Sequence, residues 1–161
     1  MLKFALCDDN KVVLSQLEKI LESIFINYNI EAEISLSATS PHEVLYHLAS
    51  HHIDILISDI NFGPGSINGC DLAELVRKKN NDIYLIFNSA HLEHSANTHK
   101  YRTFDFIAKP MIPEKIENLI LRLSDEINTK ESCPKGNRKK RGNLKSLLTR
   151  NINNKILLEA S

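Results

Sequence analysis

Apolar residues in this chain fall into two alternating patterns. Short, mostly apolar runs at 2–7, 54–59 and 83–87 each end in polar or turn-forming residues, and a fifth short strand at 104–108 is closed by Lys109-Pro110. Runs of that kind mark strands buried on both faces of a parallel sheet. Residues 31–36, with Ile34 among them, alternate instead and predict a strand second in chain order. Between the strands the period lengthens to that of a helix. Val13, Leu17, Ile20, Leu21 and Ile24 predict a helix over 12–25, with Asp9 or Asn10 as its cap. Ser40-Pro41-His42-Glu43 supplies a cap, a first-turn proline and an early acid for a helix reaching about Ala49. Gly69-Cys70-Asp71 leads a helix carrying Leu72, Leu75 and Val76, stopped near Asn80-Asn81. Residues 91–99 predict a weak, polar helix, and Pro113 opens a last one with Ile116, Leu119, Ile120 and Leu123 on its buried face.

Five strands alternating with five helices predict an α/β fold, a doubly wound parallel sheet covered on both faces, because crossovers between parallel strands are right-handed. The 161 residues suit one domain plus an appendage. Lys+Arg and Asp+Glu each number 20, but residues 131–161 carry +6 and residues 1–130 carry −6. That asymmetry predicts an acidic folded domain over 1–130 and a basic linker over 131–143. Residues 144–161 hold too few apolar positions for a core of their own. Cys7, Cys70 and Cys133 are far apart and in no CxxC spacing, which fits a reducing compartment. No apolar run reaches the ~18 residues of a membrane span, and no signal peptide precedes the first strand. A soluble, cytoplasmic protein is expected.

Chemistry concentrates at the carboxyl ends of the predicted strands: Asp8 and Asp9 after the first, Asp59 after the third, Ser89 after the fourth, Lys109 after the fifth. With strand one between strands two and three, these groups converge on one crevice, where open α/β sheets bind ligands. Three adjacent carboxylates need a cation, and hard oxygen ligands in a partly hydrated site favour Mg²⁺. A lysine and a hydroxyl opposite complete the electrostatics of phosphoryl transfer to a carboxylate.

The Asp8-Asp9 pair, strand-terminal Asp59, Ser89 and Lys109-Pro110, in this order and spacing, resemble the receiver domain of two-component response regulators over residues 2–128. The resemblance implies a (βα)5 flavodoxin-like sheet of strand order 2-1-3-4-5. It also implies a phosphorylation-dependent switch with Asp59 as phosphoacceptor for a sensor histidine kinase. Asp9, Asp59 and the backbone carbonyl of Asn61 would hold Mg²⁺, with Asp8 acting through water. Ser89 and Lys109 would bind phosphoryl oxygens, and Lys109-Pro110 would be a cis peptide. Ser89 and Phe106 take the switch positions, and His91, two residues past Ser89, is a candidate modulator of phosphoryl lifetime.

Cys7-Asp8-Asp9, Asn68-Gly69-Cys70-Asp71-Leu72 and Phe104-Asp105-Phe106-Ile107 most resemble the LytR/AgrA group, in which a LytTR-type DNA-binding domain follows a short linker. Residues 144–161 would be a remnant or the start of such a domain. Phosphorylation would pair two receivers through the helix over 91–99, the strand over 104–108 and the helix from Pro113, aligning two output domains on DNA. The module assists its own phosphorylation but is not a turnover enzyme. Three departures stand out. The segment from Asp59 to Gly69 is about two residues longer than the usual receiver loop, Ser89 replaces a common threonine, and Phe106 lacks a phenol.

Plainer readings compete at each position. Asp59, Asp8 and Asp9 alone would be helix caps or loop acids, and Lys109 and Ser89 alone a solvated lysine and a loop hydroxyl. His47 with His51, and His91 with His94, have metal-like spacing, but no cysteine or carboxylate completes a zinc set. Arg138-Lys139-Lys140-Arg141 lacks interleaved aromatics and reads as linker before nucleic-acid contact. A phosphate-independent pseudo-receiver is the main rival. A hydrolase with Asp59 as nucleophile would want a second aspartate where Asn61 stands. For His91, an unchanged rate of phosphoryl loss in a His91→Ala variant would remove the modulating role.

Overall fold

The computed structural model describes residues 1–90 and 100–132. The helix expected over 91–99 and the tail from 133 onward lie outside the described residues. The chain divides into two units, 1–128 and 129–161, and of the second only 129–132 are described.

The first unit is built as β1 (Leu2–Cys7), α1 (Lys11–Asn27), β2 (Ala32–Ala38), α2 (Pro41–His47) and β3 (Ile55–Asp59). It continues with α3 (Gly69–Lys79), β4 (Tyr84–Ser89), β5 (Thr103–Ala108) and the start of α4 (Pro113–Ser132). All strand pairs are parallel, in the order β2-β1-β3-β4-β5. This is the expected doubly wound sheet. Side chains alternate across it. Phe4, Leu6, Ile55, Ile57, Ile86 and Ile107 pack with the apolar faces of α1 and α4. Ala5, Cys7, Leu56, Leu85 and Phe87 pack with α2 and α3 on the other side. Burial on both faces accounts for the mostly apolar runs of β1, β3 and β4.

Several local expectations change. β2 runs on to Ala38, because a bulge resets its pairing: Phe4 pairs with Ile34 but Ala5 with Leu36. The skipped Ser35 donates its hydroxyl to the Phe4 carbonyl at 3.1 Å. On α1 the buried stripe is Leu14, Leu17, Leu21, Ile24 and Phe25, with Val13 and Ile20 at its half-buried edge. On α3, Leu75 is exposed and Ala73 takes the buried position, since the stripe runs through Gly69, Leu72, Ala73 and Val76. Ser40 does not cap α2 through its side chain, and its hydroxyl donates to Glu43 instead. α2 ends at His47, four residues before His51. Their rings stack at 4.4 Å, and His47 is half-buried. Burial, then the charges of His51 and Lys3, lowers the His47 pKa. Among the described residues no helix is long and apolar enough to cross a membrane.

Asn10, one of the two cap candidates, accepts from the amides of Val12 and Val13 at 2.9 and 3.4 Å. Asp8 in turn accepts from the Asn10 amide at 2.9 Å, which ties the end of β1 to the start of α1.

The loop after β3 is closed at its base. The Gly69 amide donates to the Ile60 carbonyl at 2.7 Å, so the chain leaves and returns at one point. Phe62 and Ile67 pack on the α2/α3 core, leaving Gly63–Ser66 as the tip. A Cβ on residue 69 would lie 2.1 Å from the Asp59 carbonyl oxygen and 2.8 Å from the Ile60 Cα. Those neighbours are backbone and cannot turn aside. Gly69→Ala is expected to lower unfolding stability by about 2–3 kcal/mol, measured by urea denaturation. A loss under about 0.5 kcal/mol, within the range of ordinary surface substitutions, would show that the closure is not required.

Candidate functional site

By strand alternation, Asp8, Asp59 and Asn88 each stand two residues beyond an apolar side chain facing α1 and α4: Leu6, Ile57 and Ile86. Asp59 pairs in register with Asn88, and Asn88 with Ile107. One polar row therefore crosses three strand ends of an otherwise apolar face. Asp8 is 2% exposed, Asp59 7% and Asn88 2%, so none is rinsed by bulk water.

Buried carboxylates need partners. Asp59 Oδ1 accepts from the backbone amides of Ile60 at 2.6 Å and Asn61 at 3.3 Å. Its Oδ2 accepts from Lys109 Nζ at 2.8 Å, and the same ammonium donates to Asp8 Oδ2 at 2.7 Å. Burial pushes the Lys109 pKa down, but hydrogen bonds to Asp59 and Asp8 and their charges outweigh it, and the net shift is upward. Asp9 is exposed beside them. Asp8, Asp9 and Asp59 each place one oxygen within 4.8 Å of the others. On the solvent side the loop tip comes near, since a Cβ on Gly63 would stand 3.9 Å from Asp9 Oδ2.

Lys109 reaches this place from the end of β5. Its amide donates to the Ser89 carbonyl at 3.0 Å, and the Lys109-Pro110 peptide is cis. Ser89 closes β4, buried and in register with Ala108. Phe106 is half-buried and stacks on Phe87 at 5.8 Å, on the α2/α3 side. The structure thus brings Asp8, Asp9, Asp59 and Lys109 into one cluster, with Asn61 joined through its amide. Ser89 and Phe106 lie on the strands beside it. His91 lies outside the described residues.

Two residues escaped the sequence analysis. Asn88 is the first polar residue after the apolar run of 83–87, and that position was its signal. Arg77 on α3 donates to the carbonyls of Tyr101 (2.7 Å), Asn81 (3.1 Å), Ile83 (2.6 Å) and Arg102 (3.2 Å). It clamps the entries of β4 and β5 to α3. Nothing in a lysine/arginine-rich helix end distinguishes it beforehand.

Residues 4–121 match the response regulator receiver domain family. The chain is 28% identical over 116 residues to the transcriptional regulatory protein NatR of Bacillus subtilis, covering 72% of this chain and 47% of that protein. It is 28% identical over 127 residues to the sensory transduction protein LytR of Staphylococcus haemolyticus, covering 79% and 47%. The chain thus spans about half the length of these curated relatives. Among solved structures, the response regulatory domain of protein MrkE from Klebsiella pneumoniae superposes with a TM-score of 0.71. The two are 22% identical, over 80% of this chain and 99% of that one. A CheY-like receiver domain protein from Methanospirillum hungatei gives a TM-score of 0.67 at 21% identity, over 81% and 98%. At these identities the likeness speaks for the fold.

Removing the ammonium leaves a nearly fully buried Asp8 and Asp59 without their shared cation. Lys109→Met in magnesium-free buffer is expected to cost about 2–3 kcal/mol of stability. Because the folded-state pKa is raised, the contribution is full below the unfolded lysine value of about 10.4. It is lost as pH rises through the higher folded value. The gap between wild type and variant should therefore hold steady from pH 7 to about 10 and narrow above. Urea titrations across that range that show no gap would mean the ion pairs contribute nothing net.

Proposed function

The chain belongs to the response regulator receiver domain family, and from that premise we propose that it is a phosphorylation-dependent switch with Asp59 as the phosphoacceptor. The observation that carries this reading is the Asp59 carboxylate at the carboxyl edge of β3. It is held by two backbone amides and an ammonium, with two further carboxylates alongside. In the proposed transfer an Asp59 oxygen attacks the phosphorus of a phosphohistidine on a sensor kinase. The P–N bond breaks and its electron pair stays on that ring nitrogen, so the imidazole leaves neutral with the proton its other ring nitrogen already carried. The Ile60 and Asn61 amides hold Oδ1 and orient the carboxylate. Lys109 gives its hydrogens to the incoming phosphoryl oxygens, and Ser89 supplies a hydroxyl donor. These are fixed dipoles and charge aimed at the negative charge that develops.

The donor set fits a hard divalent cation: three carboxylates gathered together, one of them open to water. Asp9, Asp59 and the Asn61 carbonyl would hold Mg²⁺, with Asp8 acting through water; when bound, the ion offsets the charge between an anionic carboxylate and an anionic phosphoryl group.

Phosphorylation adds nearly two negative charges. In this reading Ser89 is drawn toward the group, Phe106 moves inward, and the face formed by β5 and its flanking helices changes. The chain covers about half of its curated relatives, two of them named for transcriptional regulation and sensory transduction. Accordingly, the output is a separate domain, of LytTR type and following the basic linker. Phosphorylated receivers pair as homodimers, and DNA is reached only through the output domain. The protein works in the cytoplasm as a signalling module rather than a turnover enzyme.

Incubation with acetyl phosphate and Mg²⁺, followed by intact mass measurement, tests the assignment. A gain of one phosphoryl group, about 80 Da, is expected, dependent on Mg²⁺ and absent in Asp59→Asn. No gain in the presence of Mg²⁺ would favour a phosphate-independent interaction module.

A further inference from the structure

Resting on that phosphoacceptor reading, we propose that Asn88 is a positioning residue for Lys109. Its side-chain oxygen accepts an ammonium hydrogen once the phosphoryl group displaces the lysine from Asp59.

Asn88 is the register partner of Asp59 and shares its face of the sheet. Its neighbours there, Ile57, Ile86 and Ile107, are buried aliphatics. An amide in such surroundings has no packing reason to be present, since an aliphatic side chain would fill the space without desolvation cost. Its Nδ2 reaches Met111 Sδ at 3.7 Å, a weak acceptor. Its Oδ1 is buried without any hydrogen-bond partner among the described residues. An orphaned acceptor inside a protein marks an arrangement that another state can improve on.

A donor belongs to the same segment. Lys109 and Met111 bracket Pro110, and this stretch crosses the polar row: Met111 meets Asn88, and Lys109 meets Asp59 and Asp8. An ammonium carries three hydrogens, and the two described contacts take one each. When a phosphoryl oxygen replaces Asp59 Oδ2 at Nζ, the ammonium has to shift. Asn88 stands in the row between Asp59 and β5, the strand from which Lys109 extends. Pairing Nζ with Oδ1 satisfies the orphaned acceptor and fixes the ammonium against the phosphoryl group. A contact made only in that state favours it over the resting one.

The test compares wild type, Asn88→Leu and Asn88→Thr, the last keeping an oxygen acceptor. Thermal unfolding, Mg²⁺ affinity by calorimetry and phosphoryl uptake from acetyl phosphate by intact mass are measured on each. Asn88→Leu is expected to be at least as stable as wild type and to bind Mg²⁺ within twofold. Its uptake should slow by about fivefold to tenfold, the size of one hydrogen bond. Asn88→Thr should recover most of the rate. In a Lys109→Met background, Asn88→Leu should have no further effect, since the two act through one contact. Unchanged uptake in Asn88→Leu, or an equal loss with and without Lys109, overturns this inference and leaves the phosphoacceptor reading standing. A wild-type protein that takes up no phosphoryl group overturns both.

Discussion

One ammonium, on Lys109, holds two buried carboxylates that would otherwise repel each other. Asp8 comes from β1 and Asp59 from β3, neighbouring strands whose parallel pairing forces their ends together. Burying such acids is costly, and Coulomb attraction repays the cost only with good geometry and satisfied lone pairs. Here every carboxylate oxygen of the two has a donor: Asn10 and Lys109 for Asp8, the Ile60 and Asn61 amides and Lys109 for Asp59. The cluster is thus built into the caps and turns that end the strands. It cannot shift without disturbing the start of α1 and the segment after β5.

The loop after β3 is separated from the carboxylate by its own closure. It pinches shut between Ile60 and Gly69 and anchors Phe62 and Ile67 in the α2/α3 core. The residues between them form a tip, and the cost of closing such a loop grows only slowly with its length. The requirement moves to Gly69, where only a residue without Cβ permits backbone to pass this close to Asp59.

On the other face of the sheet, Phe87 and Phe106 stack across β4 and β5 beside the strand ends that carry Asn88, Ser89 and Lys109. Arg77 secures the opposite ends of the same two strands through four backbone carbonyls. One end of the β4/β5 pair is therefore fixed to α3, while the other carries the polar groups nearest Asp59.

Much of this was legible in the sequence. Apolar runs buried on both faces need helices on both sides, so the mostly apolar character of 2–7, 54–59 and 83–87 already implied a parallel, doubly wound sheet. Polar residues at the ends of those runs and of 104–108 marked Asp8, Asp9, Asp59, Ser89 and Lys109, because such a strand turns polar where it leaves the core. Periodicity could not resolve which side of α1 or α3 faces inward to better than one residue. Leu14 and Ala73 are buried where Val13 and Leu75 had been expected, since packing against a particular sheet sets helix rotation. Nor did it foresee the bulge at Ser35, a response to pairing with β1. The hydrogen bonds of Lys109 and Arg77, the clearance at Gly69 and the Asn88 oxygen left without a partner among the described residues were decided by tertiary structure alone. Each joins groups distant in the chain, and distance in the chain says nothing about proximity until the strands are laid side by side.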